Sequence, residues 1–256
     1  MNSAPLKVWV ERNGHLLRLR LARPKANIVD AEMIGALDDA LADHLGHPAL
    51  RAVLLDADGP HFSFGASVEE HLPGTCGEML GAIHGLILRI AGSPVPVMVA
   101  IRGHCVGGGL EVAMAGNLLF AAPEAVLAQP EINIGVFAPA ASCLLPERIG
   151  RAAAEDILLS GRNIKGDEAK AIGLVTAVSD EPEAAALEYF ETHLEHHSAS
   201  SLRFATRAAR LGFVERLTEN LDTVEQLYLD GLMATRDAVE GLEAFMEKRT
   251  PAWEDR

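Results

Sequence analysis

The most informative part of the sequence is the run Arg102-Gly-His-Cys-Val-Gly-Gly-Gly-Leu-Glu111. It stands between an apolar strand, Val95–Ile101, and a helical stretch, Leu110–Ala115. Its three consecutive glycines weaken the start of a helix by up to ~1 kcal/mol each relative to alanine. They also allow a ligand to approach backbone N–H groups at the positive end of a helix. The run therefore predicts a site for an anion or a developing oxyanion.

Glu111 is the first candidate catalytic residue, because its neighbours on both sides are apolar or small and carboxylates are rarely buried unless paired or functional. The simpler interpretation stays open, in which the glycines form a tight turn and the acid only complements the helix dipole. Two nucleotide-binding interpretations are disfavoured. No Gly-Lys-Ser/Thr follows, and Val112 replaces the third small residue of a dinucleotide-binding turn.

Glu131 is a second acid inside an apolar stretch, in a loop begun by Pro130. A single helix would separate it from Glu111 by roughly 30 Å. The two can converge only if the chain doubles back through the strands between them. A converged pair would suit general acid–base chemistry that needs both water activation and proton delivery. The alternative is an ordinary solvent-exposed turn carboxylate.

The pattern along the chain predicts an α/β protein. An Asn13-Gly14 turn indicates an initial hairpin, and strands then alternate with short helices to about residue 180. Residues 183–247 are helical almost throughout. We expect a catalytic core over residues 1–180 and a helical region over 181–256 for oligomerisation and active-site cover.

Composition excludes several classes. The 256 residues are 49% hydrophobic with a formal net charge of −14, which disfavours nucleic acid or an anionic membrane as the main partner. No apolar stretch approaches the roughly 20 residues of a membrane helix, and the N-terminus lacks a signal peptide. Three cysteines without metal-ligand spacing indicate reduced thiols in the cytoplasm. No metal site is expected.

Several ordered motifs resemble those of the crotonase (enoyl-CoA hydratase/isomerase) superfamily over nearly the whole chain. They are Arg23-Pro-Lys-Ala-Asn27, Phe62-Ser-Phe-Gly-Ala-Ser67, the run ending at Glu111, Gln129-Pro-Glu131, Leu159-Ser-Gly-Arg162, Ala169-Lys-Ala-Ile-Gly-Leu-Val175 and Phe245-Met-Glu-Lys-Arg249. The resemblance implies a spiral of ββα units, a C-terminal helical trimerisation region, and a homotrimer or a hexamer that is a dimer of trimers. It also implies an acyl-CoA thioester as substrate, with no cofactor beyond that coenzyme A.

The resemblance assigns roles to individual residues. The N–H groups of Ala66 and Gly108 would form an oxyanion hole, and Glu111 and Glu131 would be the two catalytic glutamates. Two retained acids favour hydration over isomerisation or hydrolysis. We assign Glu111 to water and Glu131 to the proton, although the residues alone leave the order open.

Two loops depart from the usual family pattern. Ser67 replaces an aspartate, and residues 136–142 carry Ala and Pro where glycines are usual. Phe64, Phe137 and Pro139 are expected to line a rigid, flat acyl pocket. These loops resemble those of hydratases that act on a cyclic dienoyl-CoA in anaerobic benzoyl-CoA degradation. The alternatives are a 2-trans-enoyl-CoA hydratase, a family isomerase or hydrolase, and a catalytically silent binding protein.

Coenzyme A phosphates need local cations despite the net charge of −14. The candidates are Arg23 and Lys25, together with Lys248 or Arg249 reaching from a neighbouring subunit. Ala26 and Ala66 complete the expected coenzyme A contacts. For each cation, an ordinary solvated charge is the simpler interpretation.

Overall fold

The computed structural model describes residues 4–256 and begins with the predicted hairpin. Strands β1 (Leu6–Glu11) and β2 (Leu16–Leu21) pair antiparallel, with Leu6 opposite Leu21. A short 3-10 turn, Arg12–Gly14, connects them. Asn13 and Gly14 both have positive φ there, +57° and +89°. The Asn-Gly pair is therefore required by the turn, as expected from the sequence.

Strands and helices alternate through the rest of the core. The further elements are α1 (Ala31–His44), β3 (Ala52–Ala57), α2 (Cys76–Ala91), β4 (Val97–Ile101), β5 (His104–Val106), α3 (Gly108–Ala115), β6 (Leu118–Ala121), β7 (Val126–Ala128), α4 (Pro139–Ile149), α5 (Arg151–Ser160), β8 (Ile164–Lys165), α6 (Gly166–Ala171) and β9 (Ala177–Val178). Three helices follow: α7 (Pro182–His193), α8 (Ala199–Gln226) and α9 (Arg236–Glu247).

Two sheets organise the core. The larger has the order β1-β2-β3-β4-β6-β9 and is parallel apart from β1, and the smaller has the order β5-β7-β8. The units β4-β5-α3 and β6-β7-α4 repeat, because β4 pairs with β6 in one sheet while β5 pairs with β7 in the other. This arrangement confirms the predicted α/β architecture of ββα units.

The glycine-rich run contains a strand that the sequence pattern does not predict. Residues 104–106 form β5, because the backbone of β7 supplies a parallel pairing partner. Helix α3 begins at Gly108, two residues earlier than expected, directly after Gly107, whose φ is +53°. The chain therefore passes from strand to helix in one residue that only glycine occupies without strain.

The far end of α3 is held by two arginines. Arg148 donates to the Met114 carbonyl at 2.7 Å and also to that of Gly116, while Arg210 donates to Ala115 and Gly116 at 2.7 and 2.6 Å. The last carbonyls of a helix have no partner within it and favour cations. Burial lowers the pKa of both guanidinium groups to about 10. These contacts fix the helix that carries Glu111.

The helical region is less continuous than predicted. A turn at residues 194–198 precedes α8, and a π-helical turn, Leu227–Gly231, with a 3-10 turn, Leu232–Ala234, separates α8 from α9. Helix α7 covers the outer face of the larger sheet, where Phe190 packs with Phe120 and Met98. No helix within residues 4–256 is long and apolar enough to cross a membrane.

Candidate active site

Glu111 lies in the first turn of α3 and is almost fully buried, with 5% of its surface exposed. Its Oε1 accepts a hydrogen bond of 2.8 Å from the backbone N–H of Ala141. Ala141 stands in the first turn of α4, which begins at Pro139. The carboxylate therefore faces the positive end of a second helix, where the first N–H groups lack partners within the helix.

Glu131 lies in a 3-10 turn, Pro130–Ile134, and its carboxylate faces the glycine run. A Cβ added to Gly107 would lie 2.8 Å from Glu131 Oε1. With its amide nitrogen turned toward the acid, Gln129 donates to the two carboxylate oxygens at 3.1 and 3.2 Å. The pairing of β5 with β7 closes the 20-residue separation, so both glutamates line one cavity.

Both carboxyl groups have raised pKa values. Burial is the main cause for each, and the charge of Glu111 adds to the increase in the pKa of Glu131. For Glu111, backbone N–H groups of Ala141 and Ala140 oppose the increase in pKa by stabilising the ionised form. The N–H groups at the start of α4 therefore favour the ionised form of Glu111, and the charge of Glu111 in turn favours the protonated form of Glu131.

The two predicted oxyanion donors lie next to each other. A Cβ on Gly108 would be 3.1 Å from the backbone nitrogen of Ala66. Within residues 4–256, neither the Ala66 nor the Gly108 N–H donates to a backbone carbonyl. Gly65, with φ +102°, turns the chain here, and Val29 donates to its carbonyl at 2.9 Å. Two neighbouring N–H groups without a partner in the protein can therefore donate to one oxyanion.

The cavity has a volume of about 340 Å³ and includes the three residues expected for the acyl pocket, Phe64, Phe137 and Pro139. The Phe137 ring packs edge-on against the buried ring of Tyr228, 5.3 Å between centroids. Sequence reasoning missed further wall residues: Val68, His71, Met79, Leu80, Ile83, Asn133, Ile134, Ala138 and Phe245. Helix α9 thus reaches the cavity through Phe245.

His71 is the third titratable side chain of the cavity. Its Nδ1–H donates to the Ser67 carbonyl at 2.7 Å, since a carbonyl can only accept. Burial lowers the pKa of His71, so the ring is neutral near pH 7. The bond holds the loop that follows Ala66. Nothing in the sequence indicates this contact.

The candidate cations differ in their surroundings. Arg23 donates to both oxygens of Asp30, at 2.7 and 2.5 Å, and to the Ile28 carbonyl at 2.9 Å, so its guanidinium shapes the loop. Lys25 and Lys248 are exposed and form no ion pair within residues 4–256. Arg249 instead pairs with Glu240 and Glu247. Ala26 accepts from Phe64 N–H at 2.9 Å.

Three larger grooves, of about 560, 550 and 470 Å³, lie between α1 and α2, along α8, and beside the start of α9. None of them is lined by Glu111, Glu131, Ala66 or Gly108. Within residues 4–256, no group of three or more His, Cys, Asp or Glu side chains could hold a metal ion.

The raised pKa values predict that Glu111→Gln stabilises the protein at neutral and alkaline pH. A carboxyl group whose pKa is raised in the folded state lowers the free energy of unfolding as pH rises above its ordinary pKa of 4.5, because the group ionises less readily in the folded protein than in the unfolded chain. The gain should be near zero at pH 4 and reach about 1–3 kcal/mol above neutrality. Urea denaturation across this pH range measures it. The exposed control Glu155→Gln should show no such trend, and an equal gain at all pH values would contradict the assignment.

Comparison with known proteins places this geometry in a family. Residues 11–256 match the family Enoyl-CoA hydratase/isomerase. Cyclohexa-1,5-dienecarbonyl-CoA hydratase of Thauera aromatica is 65% identical over 254 residues, covering 99% of this chain and 98% of that protein. A probable enoyl-CoA hydratase of Mycobacterium bovis is 32% identical, covering 97% and 98%.

Solved structures agree. An enoyl-CoA hydratase from Mycobacterium avium subsp. paratuberculosis superposes with a TM-score of 0.82 at 28% identity, covering 99% of this chain and 100% of that one. A second, putative enoyl-CoA hydratase from the same organism reaches 0.88 at 26% identity, covering 98% and 99%. With the paired glutamates and the two free N–H groups, these matches show that the chain belongs to the enoyl-CoA hydratase/isomerase family.

Proposed function

We propose that this chain is a hydro-lyase that adds water to the double bond of an unsaturated acyl-CoA thioester. The observation that carries the proposal is that Glu111 and Glu131 line the same cavity as Ala66 and Gly108, whose N–H groups are unpaired. Hydration needs a base, an acid and an oxyanion site at once, and the cavity contains all three.

The chemistry follows from these positions. The thioester oxygen accepts hydrogen bonds from the Ala66 and Gly108 N–H groups, which stabilise the negative charge of the enolate more than that of the ground-state carbonyl. Ionised Glu111 orients a water molecule and accepts its proton as the oxygen attacks the β-carbon. Protonated Glu131 then delivers a proton to carbon. After product release Glu111 is protonated and Glu131 is ionised, and proton exchange with solvent restores the resting state.

We propose a cyclic dienoyl thioester, cyclohexa-1,5-diene-1-carbonyl-CoA, as the substrate. The 65% identity to the Thauera aromatica hydratase supports this choice. Attack on the β-carbon gives a dienolate whose charge extends to the vinylogous γ-carbon. Protonation there completes a 1,4-addition and yields 6-hydroxycyclohex-1-ene-1-carbonyl-CoA. Such a step belongs to anaerobic benzoyl-CoA degradation.

The walls of the cavity support a flat, rigid acyl group. Pro139 starts α4 and Phe137 rests on Tyr228, so neither wall residue moves easily. Phe64 stacks on His104 at 4.8 Å between ring centroids. A six-membered ring fits between such walls with little loss of side-chain freedom, whereas a flexible chain would lose more entropy on binding.

Coenzyme A binding is proposed for the loop after β2 and for the end of α9. Lys25 and Lys248 would contact phosphates, the latter from a neighbouring subunit, because both ammonium groups are exposed and without ion pairs within residues 4–256. Arg23 would act by holding this loop through Asp30. Ala26 and Ala66 would contribute backbone groups. No other cofactor is proposed.

We further propose a cytoplasmic homotrimer or a hexamer made of two trimers. Helix α8 exposes large apolar side chains, with Phe204 at 74% and Leu211 at 56% exposure beside a groove of about 550 Å³. Exposed apolar side chains that line one groove favour association with a partner surface. The three cysteines are free and buried, which supports a reducing compartment. Residues 181–256 would then provide oligomer contacts and active-site cover, and 1–180 the catalytic core.

Turnover of two substrates tests the proposal. We expect kcat/KM for cyclohexa-1,5-diene-1-carbonyl-CoA to exceed that for crotonyl-CoA by about 10–100-fold, since shape differences in an apolar pocket discriminate on this scale. Phe137→Ala should narrow the ratio by slowing the cyclic substrate. Faster turnover of crotonyl-CoA would indicate an ordinary enoyl-CoA hydratase. No turnover of either, with salt-dependent RNA binding, would indicate a catalytically silent binding protein.

A further inference from the structure

The segment that follows α9, residues 249–256, turns back along that helix toward its first turn. Its backbone N–H groups donate to two α9 carboxylates, as follows: Ala252 to Glu240 at 2.7 Å, Glu254 to Asp237 at 2.7 Å and Asp255 to Asp237 at 2.8 Å. The Arg256 carbonyl accepts from Arg236 N–H at 2.8 Å. We call residues 249–256 the returning segment. These bonds fix it against α9.

Trp253 of the returning segment lies at the junction of α9 with the turn that carries Glu131. A Cβ on Gly135, which ends that turn, would lie 3.1 Å from the Trp253 ring, and a Cβ on Gly241 of α9 would lie 2.9 Å from it. A Cβ on Gly241 would also overlap the Ile134 carbonyl oxygen. The helix backbone, the indole and the turn are therefore in direct contact.

The opposite side of the same turn is also held. Gly161, which ends α5 with φ +62°, packs so closely that a Cβ there would lie 2.7 Å from Asn133 Nδ2 and 2.9 Å from Ile132 Cγ2. The turn Pro130–Ile134 is thus contacted by α5 on one side and by α9 with Trp253 on the other.

A 3-10 turn of five residues has weaker internal hydrogen bonds than an α-helix and cannot alone hold a side chain to a fraction of an ångström. Proton transfer to carbon needs that accuracy, and a misplacement of about 1 Å can cost 10²-fold in rate. The support must come from the elements around the turn. Among these, the indole of Trp253 provides the largest rigid side chain.

We propose that Trp253, held by the returning segment, is a positioning residue that keeps Glu131 aligned for proton delivery. The inference rests on the proposed hydration, because it assigns Trp253 a role through Glu131. Trp253 touches no reacting atom. Helix α9 would use the same contact to place Phe245 in the cavity wall, which couples the acyl pocket to the acid.

Trp253→Ala tests the role. We expect kcat to fall at least about tenfold while KM changes less than about threefold, the split that loss of alignment rather than of binding produces. Water reaching Glu131 would lower its raised pKa, so the alkaline limb of the kcat profile should move to lower pH. The titratable neighbours in the cavity, Glu111 and His71, stay in place, and so does Asp237 behind the turn. Trp253→Phe should restore most of the kcat and return the alkaline limb of the pH profile to its parent position.

Trp9→Ala is the matched control, since Trp9 is the other tryptophan of the sequence. It lies on β1, and the guanidinium carbon of Arg18 is 4.9 Å from the centroid of its ring. Its kcat and pH profile should match those of the parent. If Trp253→Ala does not fold, Trp253→Leu, which keeps an apolar side chain and every neighbouring charge but lacks the indole, should give the same shift of the alkaline limb. If the folded Trp253 variants keep the parent kcat and the parent alkaline limb, the inference is overturned. If Glu131→Gln itself keeps full activity, the proposed function fails instead.

Discussion

Replacing either cavity glutamate by glutamine, Glu111→Gln or Glu131→Gln, is expected to lower kcat for hydration by about 10²–10⁴-fold, because each change removes one partner of a general acid–base pair. Glutamine keeps the size of the side chain. At position 111 it can still accept the hydrogen bond from the Ala141 N–H, and at position 131 it can still accept one from the Gln129 side-chain amide. Stopped assays of product formation, with circular dichroism to confirm the fold, measure the effect.

The two variants should differ in their pH dependence. Glu111→Gln removes the base, so its residual activity should lose the acid limb, whereas Glu131→Gln removes the acid and should lose the alkaline limb. The exposed control Glu155→Gln should retain the parent profile. Full activity in either folded cavity variant would show that the acid–base assignment is wrong. If Glu111→Gln instead lost the alkaline limb and Glu131→Gln the acid limb, the two residues would still be the acid–base pair, with Glu131 as the base and Glu111 as the acid.

Gly108→Ala is expected to lower kcat by about 10²–10³-fold, the typical loss for one oxyanion donor. The new methyl group would lie 3.0 Å from Ala66 Cβ and 3.1 Å from Ala66 N. Because both contacts are too close, it would push the loop of Ala66 away and move one donor relative to the other. Rate and substrate affinity, measured separately, should show the larger effect on kcat.

Gly46→Ala is the control for this substitution, because a Cβ there meets no atom within 4 Å. It should leave kcat unchanged. If Gly108→Ala folds and retains the parent kcat, the N–H groups of Ala66 and Gly108 do not stabilise the reacting oxygen, and the oxyanion site must be sought elsewhere.

Much of the site could be predicted from the sequence because its signals are local. A triple glycine before a helix allows close approach of other groups to the backbone, and a Cβ on Gly107 would indeed lie only 2.8 Å from Glu131 Oε1. An acid among apolar residues indicates a functional carboxylate, and Glu111 is buried as expected. The Asn13-Gly14 turn has the positive φ values that its composition predicts.

The rest depends on contacts between distant segments. Strand β5 is three residues long and forms only because β7 lies beside it, which no pattern within residues 104–106 reveals. The ββα repeat is likewise visible in how the strands pair and not in any repeated sequence motif. Phe245 reaches the cavity because α9 packs on the turn of Glu131 across Gly241, a contact between segments far apart in the sequence.

The site also has a cost in stability, which links its chemistry to the fold. Two carboxyl groups with raised pKa values weaken the folded state as pH rises, and the N–H groups of Ala140 and Ala141 at the start of α4 offset part of this for Glu111. The arrangement therefore reduces stability at neutral pH, and the expected gain in Glu111→Gln measures this cost.

The position of deuterium in the product tests the central claim most directly. The chain is incubated with cyclohexa-1,5-diene-1-carbonyl-CoA in D₂O, and the product is analysed by NMR. A 1,4-addition through an enolate held by Ala66 and Gly108 predicts 6-hydroxycyclohex-1-ene-1-carbonyl-CoA with one deuterium on ring carbon 3, across the ring from the hydroxyl-bearing carbon. Deuterium on ring carbon 5, beside that carbon, or the absence of a hydrated product would contradict it.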